Sequence, residues 1–141
     1  MQAQVLNLLV DLQQQYRMAY LFVSHDIGVV QHMADRIAVM YLGRIVEIAP
    51  YADIMESPQH PYTQALLQAI PLMDPRRSRI ADKQILTGDV PSPLTIPSGC
   101  AFHNRCRFAT DRCRRSVPLL HSIGSDALVA CHLSAPSTES P

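Results

Sequence analysis

Apolar and polar positions alternate through the first fifty residues in a pattern that predicts their elements. Val5, Leu8, Leu9, Leu12 and Tyr16 fall at i, i+3, i+4, i+7 and i+11, which is one stripe of an amphipathic helix. Gln13, Gln14 and Gln15 lie on its wet side, and the spacing predicts a helix over 3–18. Tyr20-Leu-Phe-Val23 is then a continuous apolar run, the signature of a short strand covered on both faces. Ser24-His25-Asp26 closes it, and Asp26 suits the N-cap of a helix turning Ile27, Val30 and Met33 inward. Ile37–Tyr41 and Arg44–Ile48 read as two further strands meeting at Leu42-Gly43, where Gly43 can supply the positive φ of a tight hairpin. This order predicts an α/β fold, but only the edge of one. Buried strands need covering helices and neighbouring strands that this stretch does not contain.

The texture changes at Pro50, because all 11 prolines lie at or beyond it. Asp53–Glu56 reads as one helical turn stopped by Ser57-Pro58. His60-Pro61-Tyr62 opens a stronger helix, with Pro61 at a first position where a missing N–H costs nothing. Tyr62, Ala65, Leu66, Ala69 and Ile70 form its apolar face, and Pro71 ends it. Residues 71–99 read as a proline-rich linker with one short strand around Gln84-Ile85-Leu86. Ser134–Pro141 is a Ser/Pro-rich tail expected to fray. Three units are therefore expected: 1–50, the irregular cysteine-rich extension 51–133, and the tail 134–141.

Charge sharpens that division. Twelve basic residues balance twelve acids overall. Residues 1–70 hold three arginines against six acids, whereas residues 71–141 hold eight arginines and Lys83 against six acids. The zero net charge excludes bulk attraction to phosphate backbones or anionic lipid. No apolar run approaches the roughly 18 residues that cross a bilayer, and Met1–Val5 lacks the basic and apolar regions of a secretory signal. A cytoplasmic location is the expectation.

Cys100, Cys106, Cys113 and Cys131 fall within one 32-residue window, and the chain has no other cysteine. In a reducing compartment metal or cluster ligation is the stronger reading, with a two-bridge disulfide framework and inert thiols as alternatives. Intervals of five, six and seventeen residues are long for structural zinc, and four thiolates are an ordinary shell for a four-iron cluster. Arg105, Arg107, Arg112, Arg114 and Arg115 are expected to lower the thiol pKa values and offset an anionic cluster. His103 and His132 are alternative zinc ligands or bystanders. A nucleic-acid patch is disfavoured, since only Phe102 and Phe108 lie nearby for base stacking.

Ser24-His25-Asp26 occupies the position where α/β sheets place ligands, just outside the carboxyl end of a strand. The 141 residues contain no G-x-x-x-x-G-K-[ST] phosphate loop, and no Ser/His/Asp arrangement for nucleophilic catalysis stands out.

Five stretches together resemble one family: Gln2–Leu9, Leu21–Asp26, Ala38–Glu47, His60-Pro-Tyr-Thr-Gln-Ala-Leu-Leu67 and Gly99-Cys-Ala-Phe-His-Asn-Arg-Cys106. They are similar to the C-terminal part of ATP-binding subunits of dipeptide and oligopeptide ABC importers, over about residues 2–133. The resemblance implies a P-loop ATPase domain edge followed by that family's C-terminal extension. It implies that His25 is the switch histidine, a catalytic residue contacting the γ-phosphate of ATP/Mg. It also implies that Cys100, Cys106, Cys113 and Cys131 hold a 4Fe-4S cluster, with Zn as the alternative. Implied partners are a second ATPase subunit, transmembrane permease subunits and, indirectly, a peptide-binding protein, with no nucleic acid. The implied location is the inner face of the cell membrane. Phosphate loop, signature motif and catalytic glutamate all precede the matching region in that family, so a fragment without ATPase activity of its own is expected. A self-standing iron–sulfur or zinc module is the alternative function.

Overall fold

The computed structural model describes residues 2–69, 91–92, 94–124 and 126–134. Helix α1 runs Gln2–Tyr16 and α2 runs Ile27–Met33. A hairpin of β1 (Arg36–Tyr41) and β2 (Arg44–Pro50) leads into α3 (Tyr51–Glu56) and α4 (Pro61–Gln68). Later along the chain come a 3₁₀ turn at His103–Arg105, α5 (Asp111–Arg115), β3 (His121–Ser122) and β4 (Leu128–Val129).

The hairpin forms where the pattern places it. Leu42 and Gly43 both take positive φ, 46° and 75°, as a two-residue turn matched to strand twist requires. Pairing is antiparallel from Arg36↔Pro50 to Tyr41↔Arg44, with an irregularity between Val39 and Met40. Strand β2 is central: the sheet order is β1-β2-β4-β3, and Glu47 and Ile48 pair with Val129 and Leu128. All these pairs are antiparallel, so the described sheet is not itself a parallel α/β layer. Val46, Glu47 and Ala49 are buried although successive side chains point to opposite faces, so both faces of β2 are covered.

The core crosses Pro50. Val39, Tyr41, Val46, Ala49 and Ile54 pack with Ala101 and Phe102 in one cluster, and Tyr62 and Leu66 press against it. Tyr41, Tyr62 and Phe102 form an aromatic knot with ring centroids 4.6–5.5 Å apart. Such pairs contribute about 0.5–1.5 kcal/mol each beyond their area. The hairpin thus shares its core with the cysteine-bearing region.

Residues 20–23 do not form a strand. Leu21 is 97% and Val23 90% exposed, and the segment is irregular. A strand needs hydrogen-bonded neighbours and a covered face, and no described segment pairs with this one. The α1 stripe is helical as expected but stays wet, with Val5, Leu8 and Tyr16 all more than half exposed. Helix α2 buries none of its residues. Pro61 stands in the first turn of α4, as anticipated. The strand expected at 84–86 and the tail from 135 lie outside the described residues.

Candidate functional site

His25 sits on the short connection ahead of α2, and its side chain is exposed. Its neighbours set that turn. The Asp26 backbone N–H donates to Ser24 Oγ at 2.9 Å, and Asp26 Oδ1 accepts the Gly28 N–H at 2.8 Å. Asp26 is therefore occupied as the α2 N-cap, as its position predicts. Helix α2 is tied to α1 by a 3.0 Å hydrogen bond between His32 Nε2 and Asn7 Oδ1. No hydrogen bond holds the His25 ring among the described residues.

The four cysteines are brought into one neighbourhood by a close backbone approach. Gly99 takes φ +69°, and a Cβ there would collide with the Cys113 carbonyl oxygen and lie 2.8 Å from the Arg114 one. Only glycine lets residues 98–100 run this close to 113–114. The Cys100 N–H then donates to the Cys113 carbonyl at 2.8 Å, and Ser98 Oγ donates to the Arg114 carbonyl at 3.3 Å. Cys113 and Cys131 are buried, whereas Cys100 and Cys106 are half-buried, and all four are free thiols.

Burial pushes the Cys100 thiol up, the Phe102 backbone N–H opposes it, and thiolate repulsion from Cys113, Cys131 and Cys106 adds to it. Burial likewise raises Cys106, opposed by the Phe108 backbone N–H, with repulsion from Cys131 and Cys113 and a lowering contribution from Arg107. The expected arginine effect is thus overturned at these two thiols, because desolvation outweighs it. Arg112, Arg114 and Arg115 are exposed, and the Arg107 guanidinium lies over the Phe108 ring at 4.6 Å.

Among the described residues no group of three His, Cys, Asp or Glu side chains is placed to hold a metal ion. The thiols share a neighbourhood without converging on a ligation point, and both half-buried ones are held toward the neutral form. Neither the zinc nor the four-iron reading has a metal-holding group behind it among the described residues, and no chemistry is derived through either. Both candidate histidines are engaged elsewhere. His103 Nδ1 lies 2.8 Å from the Cys100 carbonyl and so must donate to it. His132 Nε2 lies 2.9 Å from the Ser116 carbonyl and 3.2 Å from Ser116 Oγ, tying the exit of α5 to the chain after Cys131.

A second polar constellation escaped the sequence reasoning. Glu47 is 1% exposed on β2, and its two carboxylate oxygens accept the Gln59 and His60 N–H groups at 2.7 and 3.0 Å. His60, also 1% exposed, caps α4 by accepting the Tyr62 N–H on Nδ1 at 3.0 Å. Burial lowers its pKa to about 4, so the ring is neutral and carries its proton on Nε2. The available signal was the pair itself: a lone acid inside an apolar strand, followed at residue 60 by a histidine just before a helix-starting proline. A cavity of about 30 Å³ lies between His60, Cys100, Phe102, Val117, Pro118 and Ala130. That is water-sized, far below the roughly 300–1,000 Å³ of small-molecule pockets, so it is no nucleotide or peptide site.

This joining of the Glu47 strand, the His60-Pro61-Tyr62 helix start and the cysteine loop coincides with a family boundary. Residues 46–113 match the model of the oligopeptide/dipeptide transporter C-terminal region. The chain is 54% identical over 136 residues to a Sinorhizobium fredii protein named as a probable peptide ABC transporter ATP-binding protein, covering 96% of this chain and 38% of the relative. It is 52% identical over 133 residues to the di/tripeptide transport ATP-binding protein of Pseudomonas aeruginosa, covering 93% and 40%. The oligopeptide transport ATP-binding protein of Bacillus subtilis is 43% identical over 132 residues, covering 94% and 40%. The chain thus spans about 40% of the length of these curated relatives. No helix among its described residues is long and apolar enough to cross a membrane.

Proposed function

We propose that this chain forms the C-terminal part of the ATP-binding subunit of an ABC importer, which couples ATP hydrolysis to uptake of di- and oligopeptides. The observation that carries this reading is similarity along 93–96% of the chain to relatives named for ATP-dependent peptide transport. In this reading the exposed His25 ring meets the γ-phosphate of an ATP/Mg complex bound by a phosphate loop that these 141 residues do not contain. Asp26 holds the turn that presents the ring, and phosphoryl transfer itself rests on positioning and charge stabilisation by that loop and the metal. A second ATPase subunit faces the first. Permease subunits keep the pair on the inner face of the membrane, and a peptide-binding protein delivers cargo from the other side. The alternative of a self-standing metal module has no metal-holding group among the described residues behind it.

The test mixes this chain with a polypeptide carrying the phosphate-loop portion of the Pseudomonas aeruginosa relative. ATP hydrolysis is expected only in the mixture, and His25→Ala should lower it at least about 100-fold. Hydrolysis by the chain alone, or a mixture indifferent to His25→Ala, overturns the reading.

A further inference from the structure

The zero net charge of the chain conceals a local excess. Residues 94–124 hold Arg105, Arg107, Arg112, Arg114 and Arg115 against one acid, Asp111. Cys113 is the buried residue of α5, so its helical neighbours Arg112, Arg114 and Arg115 are turned outward and exposed. None of these three guanidiniums meets a carboxylate: among the described residues the one ion pair joins Arg36 to Asp126 at 3.7 Å. Arg107 is exposed as well and lies over the Phe108 ring. Unpaired cations crowded on one short helix repel one another, and an anionic surface turns that repulsion into attraction.

Protruding apolar side chains border the same helix. The hydrogen bond from Ser98 Oγ to the Arg114 carbonyl anchors the end of the segment that carries Leu94, which is 95% exposed. At the exit of α5, Ser116 is tied to His132, and the chain runs on to Leu119, which is 80% exposed. Pro118 lines the small cavity with Ala130, so the turn that holds Leu119 out in water is backed by the body of the protein. A rigid protein partner would need a pocket matched to each leucine, whereas the headgroup boundary of a bilayer accepts apolar tips flanked by cations without such matching.

We infer that α5 and its flanking loops form a surface that binds the anionic headgroups of a phospholipid bilayer. Arg112, Arg114 and Arg115 donate charge-assisted hydrogen bonds to lipid phosphates while their methylene stems lie along the interface. Leu94 and Leu119 enter the boundary between headgroups and acyl chains. Each basic residue brought to such a surface raises binding about fivefold. This inference stands on the surface chemistry of α5 and does not rest on the transport reading.

The 141-residue chain is sedimented with vesicles of phosphatidylcholine alone and of phosphatidylcholine with an equal part of phosphatidylglycerol. Binding is expected only to the second, and salt at about 1 M, where the screening length is roughly 3 Å, should release most of it. Arg112→Gln with Arg114→Gln and Arg115→Gln should weaken binding roughly 100-fold with circular dichroism unchanged. Leu119→Ser should weaken it several-fold and leave the salt dependence as it was. Leu21→Ser with Val23→Ser should change nothing, which separates this surface from adhesion by the exposed 20–23 segment. Equal binding to both vesicles, salt-insensitive binding, or loss of binding in the Leu21/Val23 variant but not in the arginine variant overturns the proposal. So does retention on polyglutamate without binding to phosphatidylglycerol, which would make the partner an acidic protein, and so does no binding to either.

Discussion

Residues 4–35 are at least as rich in apolar residues as the described residues from 36 onward, yet only the latter bury them. No described side chain between 4 and 35 is buried, and Leu21 and Val23 stand almost fully in water. From Val39 onward, Tyr41, Ala49, Ile54, Phe102 and Val129 are nearly inaccessible. The difference is one of neighbours. The hairpin meets α4 and the cysteine loop across its faces, whereas α1, the 20–23 segment and α2 have little beyond one another. An apolar pattern shows which side of an element can be covered; a core exists only where something covers it.

The comparison breaks most visibly at Phe102. It touches Tyr41, Tyr62 and His60 at once, so Phe102→Ala should cost about 3–5 kcal/mol in urea unfolding followed by tyrosine fluorescence. Loss below about 1 kcal/mol would mean that the two halves of the body do not share a core. Acid is the next lever. His60 has its pKa lowered from 6.5 to about 4 by burial, so the unfolded chain binds a proton that the folded one refuses. Its contribution is complete above pH 6.5 and is lost as pH falls toward about 4, by on the order of 3 kcal/mol. His60→Asn, which keeps a cap acceptor but has no titratable ring, should flatten the stability profile across that window.

Glu47→Ala comes third. It leaves the His60 N–H buried without an acceptor, and a loss of about 2 kcal/mol is expected from thermal unfolding. Glu47→Gln, retaining one acceptor oxygen, should recover part of it. The smallest effect falls in the other region. Leu21→Ser with Val23→Ser should change the unfolding free energy by less than about 0.5 kcal/mol, while reducing hydrophobic-dye binding and self-association in light scattering. A large stability loss there would show that the arm is packed in solution.

Local chemistry was readable without the structure. The α1 periodicity, Asp26 as a cap, the Leu42-Gly43 turn and Pro61 in the first turn of α4 each depend on residues within a few positions of one another. The grouping of the cysteines was legible too, since they crowd one window. Their charge state was not. Five nearby arginines suggested lowered thiol pKa values, and burial by distant parts of the chain reversed the direction at Cys100 and Cys106.

The sequence by itself determined where helices cap and turns close, because those energies are settled by side chains bonding their own neighbouring backbone. It also carried the similarity to the oligopeptide/dipeptide transporter C-terminal region, through stretches such as His60–Leu67. Only the tertiary structure decided that Tyr20–Val23 stays unpaired, that Glu47 and His60 are joined inside the body, and that Cys100 lies against Cys113. Each of those outcomes depends on segments far apart in the chain. Burial and pairing are properties of the partner as much as of the residue, and a linear pattern does not carry the partner's address.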